Sequence, residues 1–228
     1  MNAASVLRIA VPTLLDFFDA RPPDSIGHAS AITGVLGEDL IAALIADCLH
    51  QRGKTVAVRS EPVTTGHKAG NRLDRWIEVA GNGSRWLYQA EIKNWGAHSF
   101  NGRTLPSSAT DEAVRAHRID RWRLQWDDAT QMFRAKECQK VVVRMKPPSD
   151  LTGLPVRALL AFWDALHPRG DPEPLFDVAV TSAAFASVTV FSASTYLRTL
   201  TADYVDLPMP AVAARIAWLS RLVSPRGA

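Results

Sequence analysis

Cysteine is scarce in this chain, with only Cys48 and Cys138 among 228 residues. They form no CxxC and have no paired histidines beside them, which argues against a disulfide framework or a structural zinc site. Long apolar runs are also missing. No stretch approaches the roughly 18 apolar residues that a membrane span needs. The opening MNAASVLRIAVPTLLDFFDARPP lacks a basic start and is interrupted by Pro12 and Asp16, so it reads as a small helix rather than a signal peptide. A cytoplasmic protein with no membrane partner is expected. Neither sign of charge dominates: 26 Lys and Arg against 23 Asp and Glu leave a net charge of +3, which permits an anionic partner without requiring one. GxSxG, GxxxxGK[ST], HExxH and GxGxxG are absent, as are repeats and low-complexity tracts. With 47% hydrophobic residues, the chain is long and apolar enough to bury a core.

What is present centres on one hairpin, residues 72–93, RLDRWIEVAGNGSRWLYQAEIK. Two runs rich in Trp, Ile, Val, Leu and Tyr flank Asn82-Gly83, the strongest short-range signal for a two-residue type I′ turn. Pairing Gly81 with Ser84 sets Asp74 opposite Glu91 and Arg72 opposite Lys93. Alternation along each strand then puts Asp74, Glu91 and Lys93 on one face. Leu73, Ile77, Val79, Trp86, Tyr88, Ala90 and Ile92 make a core side on the other. Two opposed carboxylates repel, so a divalent cation is the obvious offset.

Before the hairpin, Arg21-Pro22-Pro23-Asp24 punctuates the chain and a helix is expected from Ile32 to Leu49, stopped by Gly53. Glu38 lies in line with Ala42, Ile45 and Leu49 on its apolar stripe. An acid there needs a reason, and the plain one is a solvated first-turn Glu favoured by the helix dipole. Thr55 to Val63 reads as a strand and Thr64 to Asn71 as a loop. In and after that loop, His67, Lys68 and Arg72 suit phosphate contacts, or are simply solvated. Asp111 to Cys138 reads as a helix mixing Arg, Trp and acidic residues, suited either to nucleic acid or to packing on a sheet. Lys140 to Met145, KVVVRM, reads as a buried central strand and Leu154 to Leu166 as a helix. Phe176 to Val180 and Ser187 to Phe191 read as strands. Helices follow at Ser194 to Leu200 and Ala211 to Leu222, the last with an apolar stripe suited to dimerising or docking on a larger machine. The expected divisions are 1–30, an N-terminal helix and linker; 31–146, the core; and 147–228, a C-terminal α/β elaboration packed on it.

An acid on one strand, Asp74, followed by Glu91-Ile92-Lys93 on the next and preceded by a helical Glu38, resembles the PD-(D/E)XK nuclease superfamily. This is the fold of many restriction endonucleases and Holliday-junction resolvases. The likeness spans residues 34–144, with Leu73 standing where the pattern often has Pro. It implies a restriction-endonuclease-like α/β core, a mixed central sheet flanked by helices. It also implies a Mg²⁺-dependent endonuclease (Mn²⁺ substituting) acting on nucleic acid, DNA foremost, in bacterial restriction or anti-phage defence. On that likeness Asp74, Glu91, the Ile92 carbonyl and Glu38 hold the metal. Lys93 orients or deprotonates water, which needs a lowered pKa, or stabilises transition-state charge. The competing expectation is an inactive module of the same fold that binds nucleic acid or protein, with Lys93 merely neutralising Asp74 and Glu91.

Overall fold

A computed structural model describes residues 6–19, 26–66, 72–93, 138–167, 169 and 172–222, with 110, 112, 113, 116 and 120 between them. The expected helix 111–138 lies mostly outside these residues, and so does most of the loop that follows Thr64.

The chain is mixed α/β. Its strands are β1 (Val6–Ala10), β2 (Thr55–Arg59), β3 (Val63–Thr64), β4 (Arg72–Leu73), β5 (Arg75–Gly81), β6 (Ser84–Lys93), β7 (Val156–Phe162), β8 (Leu175–Ala179), β9 (Ser187–Ser192) and β10 (Tyr204–Pro208). Its helices are α1 (Val11–Asp19), α2 (Ile26–Gln51), α3 (Ala193–Thr199) and α4 (Pro210–Leu222). The central sheet has six strands in the order β2-β5-β6-β7-β9-β8. β2, β5 and β6 form an antiparallel meander, β7 and β9 continue parallel to β6, and β8 closes the edge antiparallel. Three of these strands precede residue 146 and three follow it.

Both faces of the sheet are buried. One carries Ile77, Val79, Trp86, Tyr88, Ala90, Ile92, Leu159 and Phe191 against Leu40, Ile41, Leu44 and Ile45 of α2 and Tyr196 and Leu197 of α3. The other carries Trp76, Leu87, Leu160, Phe162 and Val190 against Val141, Met145, Leu151 and Phe185. The hairpin turn is as expected. Asn82 and Gly83 take positive φ of 54° and 72°, the conformation a type I′ turn requires, and Gly81 pairs with Ser84.

Four expectations are corrected. The N-terminal segment is a strand followed by a helix, because β1 finds an antiparallel partner in β10. Leu154 to Leu166 is not a helix: its apolar run supplies β7, buried on both faces, where no period separates strand from helix. KVVVRM is not a strand. A short 3₁₀ turn spans Gln139–Val142, and Gln89 of β6 takes up the backbone polar groups that a neighbouring strand would have satisfied. Finally, the β5–β6 ladder ends at Arg75↔Ala90, while Arg72 and Leu73 turn away to pair with Thr64 and Val63. Arg72 is therefore not opposite Lys93, and Leu73 packs with Trp76 and Leu87 on the face opposite Ile77.

Candidate active site

The end of the ladder brings the acids together. Asp74 sits at the bend between β4 and β5, where its N–H donates to the Ala90 carbonyl at 3.0 Å. Its Oδ2 accepts the Ile92 N–H at 2.6 Å. A side-chain oxygen thus stands where a strand carbonyl would, so Asp74 is held beside Glu91 rather than squarely opposite it. The N–H and C=O of one strand residue project to the same edge, so the Ile92 carbonyl also points towards Asp74.

Glu91 and Lys93 follow on β6. Glu91 Oε1 accepts from Lys93 Nζ at 2.5 Å, with 6% of the Glu91 side chain and 17% of the Lys93 side chain exposed. Burial pushes Glu91 up, and although the Lys93 hydrogen bond opposes this, the charge of Asp74 adds to it and the carboxyl stays above the usual Glu range. Burial alone would lower Lys93. The hydrogen bond and charge of Glu91, with the charge of Asp74, outweigh burial and hold the amine above its ordinary value. That is opposite to the direction a general base needs.

Glu38 arrives from α2 because of a glycine. Gly37 has φ 53° and ψ −148° inside α2, a break open to a residue without Cβ, and the helix restarts just after it. Glu38 and Asp39 are therefore first-turn residues of the longer segment, in favourable contact with its dipole. Glu38 is half-buried and continues the line of Ala42, Ile45 and Leu49 past the edge of the core. Burial raises its carboxyl, and the Asp74 charge and hydrogen bonding to Asp74 raise it further against the pull of Arg75. Asp74 thus lies between two acids, Glu38 and Glu91, and its charge raises both carboxyls.

Arg75 and Arg215, which sequence reasoning did not single out, frame the cluster. Arg75 Nη1 donates to Glu38 Oε2 at 3.2 Å and to the Asp74 carbonyl at 2.7 Å, and its Nη2 donates to Asp39 Oδ1 at 2.9 Å. Arg215 of α4 donates to Asp39 Oδ2. Burial pushes Asp39 up, but the two guanidinium hydrogen bonds win and hold it below the usual Asp range. The only advance signal of Arg75 was its position next to Asp74; Arg215, far along the chain, had none.

The structure therefore gathers Glu38, Asp74, the Ile92 carbonyl, Glu91 and Lys93 at one end of the sheet. Arg72 is exposed on β4, and His67 and Lys68 lie outside the described residues. Among the described residues, no group of three or more His, Cys, Asp and Glu side chains stands at metal-binding separation. Comparison with family models, curated proteins and solved structures finds no match.

Proposed function

We propose that the chain is a metal-dependent nuclease of the PD-(D/E)XK type, cutting phosphodiester bonds in nucleic acid, with DNA the first substrate to try. One observation carries the reading: Asp74, pinned by the Ile92 N–H at 2.6 Å, lies between the buried Glu91 and the half-buried Glu38, whose carboxyls are raised by burial and by the Asp74 charge. Such a set is costly as three anions and becomes favourable when a cation sits among them. Its donors are all oxygen, as Mg²⁺ prefers, so Asp74, Glu91, the Ile92 carbonyl and Glu38 would hold the ion. Ligation would draw Glu91 away from Lys93. The topology agrees: a helix, a three-stranded antiparallel meander, then a strand parallel to the third.

When bound, the metal supplies Lewis-acid neutralisation of a phosphoryl oxygen and a more acidic water. The rest falls to the chain. The Ile92 N–H fixes Asp74, Arg75 restrains Glu38, and the Lys93 ammonium meets the negative charge that develops on the phosphoryl group.

A second reading has its own observation. Lys93 already neutralises Glu91 at 2.5 Å, as a binding module without catalysis would need. Circular single- and double-stranded DNA and RNA, incubated with Mg²⁺, Mn²⁺ or EDTA, separate the two. Nicking in Mg²⁺ that is lost in EDTA and in Glu91→Gln is the expected result. No cleavage of any substrate hands the protein to the binding-module reading.

A further inference from the structure

Gln89 is fully buried in a strand and makes three hydrogen bonds to one distant segment. Its Nε2 donates to the carbonyls of Val141 and Val143, both at 2.7 Å, and its Oε1 accepts the Met145 N–H at 2.9 Å. Gln89 shares a face with Glu91, two residues on. The segment it grips therefore lies against the acid cluster, close enough for the Lys140 charge to act on Glu91.

That segment is basic. Residues 139–146, QKVVVRMK, contain no acid. Met145 is buried, whereas its neighbours Arg144 and Lys146 are exposed. Lys146 bridges to Thr64, and Thr64 pairs on its other side with Arg72. Directly paired residues of antiparallel strands share a face, so Arg72 and Lys146 flank Thr64, roughly two strand spacings or ~10 Å apart. Arg72 is two residues from Asp74. Arg59, Arg75, Arg85, Lys93 and Arg215 are committed to carboxylates. None of Arg72, Lys140, Arg144 and Lys146 forms an ion pair among the described residues.

We propose that Lys140, Arg144 and Lys146, with Arg72, form a phosphate-binding track that leads a nucleic-acid backbone to the acid cluster, and that Gln89 is the positioning residue that holds it there. The proposal rests on the nuclease reading for the purpose of the track, but its test does not need cleavage. Binding of a short labelled DNA duplex is followed by anisotropy in EDTA across a salt titration. Removing one cation from a phosphate should flatten the log K against log salt slope by about 0.9. Lys140→Ala, Arg144→Ala and Lys146→Ala, singly and together, should do so cumulatively. These side chains are at least partly exposed, so the variants should fold. Gln89→Met keeps the charge and the bulk. It should speed hydrogen exchange at the Met145 amide and flatten the slope as well. A parent that binds no duplex, or a triple variant with parental affinity and slope, overturns the track. A parental slope in Gln89→Met, or a Met145 amide still protected, overturns the positioning role. A parent that binds through the track yet cuts nothing in Mg²⁺ leaves this inference standing and removes the nuclease reading.

Discussion

Replacing Lys93 by Met keeps most of the side-chain stem and removes the one cation bonded to Glu91 among the described residues. Glu91, with 6% of its side chain exposed, is then left beside Asp74. Truncating one partner of a buried pair costs about 3–5 kcal/mol when the remaining charge has no escape. Glu91 does have one, because it can take a proton. Holding a carboxyl protonated costs about 1.4 kcal/mol for each pH unit above its unfolded pKa, which sets a ceiling of roughly 3.5 kcal/mol at pH 7 and roughly 1 kcal/mol at pH 5. The sign follows from the direction of the shift. A carboxyl raised in the folded state contributes stability that is present below the ordinary Glu range and lost as pH rises through the folded pKa. The melting-temperature gap between parent and Lys93→Met, measured in EDTA, should therefore widen from pH 5 to pH 8. At pH 7 a loss approaching the ceiling would be roughly 7–14 °C for a chain of this size. Single-turnover cleavage by the same variant should fall at least about a hundredfold, the scale of losing a group that stabilises transition-state charge. A gap that does not change with pH would show that no charged Glu91–Lys93 pair exists in solution. Unchanged cleavage would remove Lys93 from the chemistry.

At Asp74 two substitutions should diverge. Asp74→Asn keeps an oxygen for the Ile92 N–H and should melt near or above the parent while losing cleavage. Asp74→Ala orphans that donor and should lose about 1–3 kcal/mol as well; equal melting of the two would deny the hydrogen bond. For Glu38, the raised carboxyl makes Mg²⁺ compete with a proton, so apparent Mg²⁺ affinity should fall as pH drops towards the ordinary Glu range. Glu38→Gln should weaken that affinity and flatten its pH dependence. A variant changed only in stability, by about 0.3–1 kcal/mol, would mark Glu38 as a helix-dipole residue alone.

The hairpin was legible because its signals are local. Asn82-Gly83 demands positive φ at two successive residues, and the register follows by counting as far as Arg75. It fails beyond Arg75 because a carboxylate oxygen of Asp74, not a backbone carbonyl, meets the Ile92 N–H. β7 was hidden by its own burial: past Arg157, the rest of VRALLAF faces apolar layers on both sides, and an unbroken apolar run has no period to read. KVVVRM misled in the opposite way. Its β-branched residues favour a strand, but the hydrogen bonds it would have taken from one come from Gln89, 52 residues away from Val141. No local pattern carries such a pairing.

The acids of the site were legible as an order along the chain, but their electrostatics were not. Glu38 reads from sequence as one more position on an apolar stripe, and at 100° per residue it is. What changes its chemistry is Gly37, whose positive φ breaks α2 and makes Glu38 and Asp39 the start of a new helical segment. From there Asp39 reaches Arg75 and Arg215, the latter 176 residues away, and their hydrogen bonds hold its carboxyl below the usual Asp range. Glu38, one residue earlier, shares only Arg75 among the described residues and faces Asp74, so burial and repulsion prevail and raise its carboxyl. Adjacent acids on one helical turn thus acquire opposite shifts from partners that the sequence does not bring near. Asp39 ties α4 to α2 through Arg215, and Glu38 is left facing Asp74.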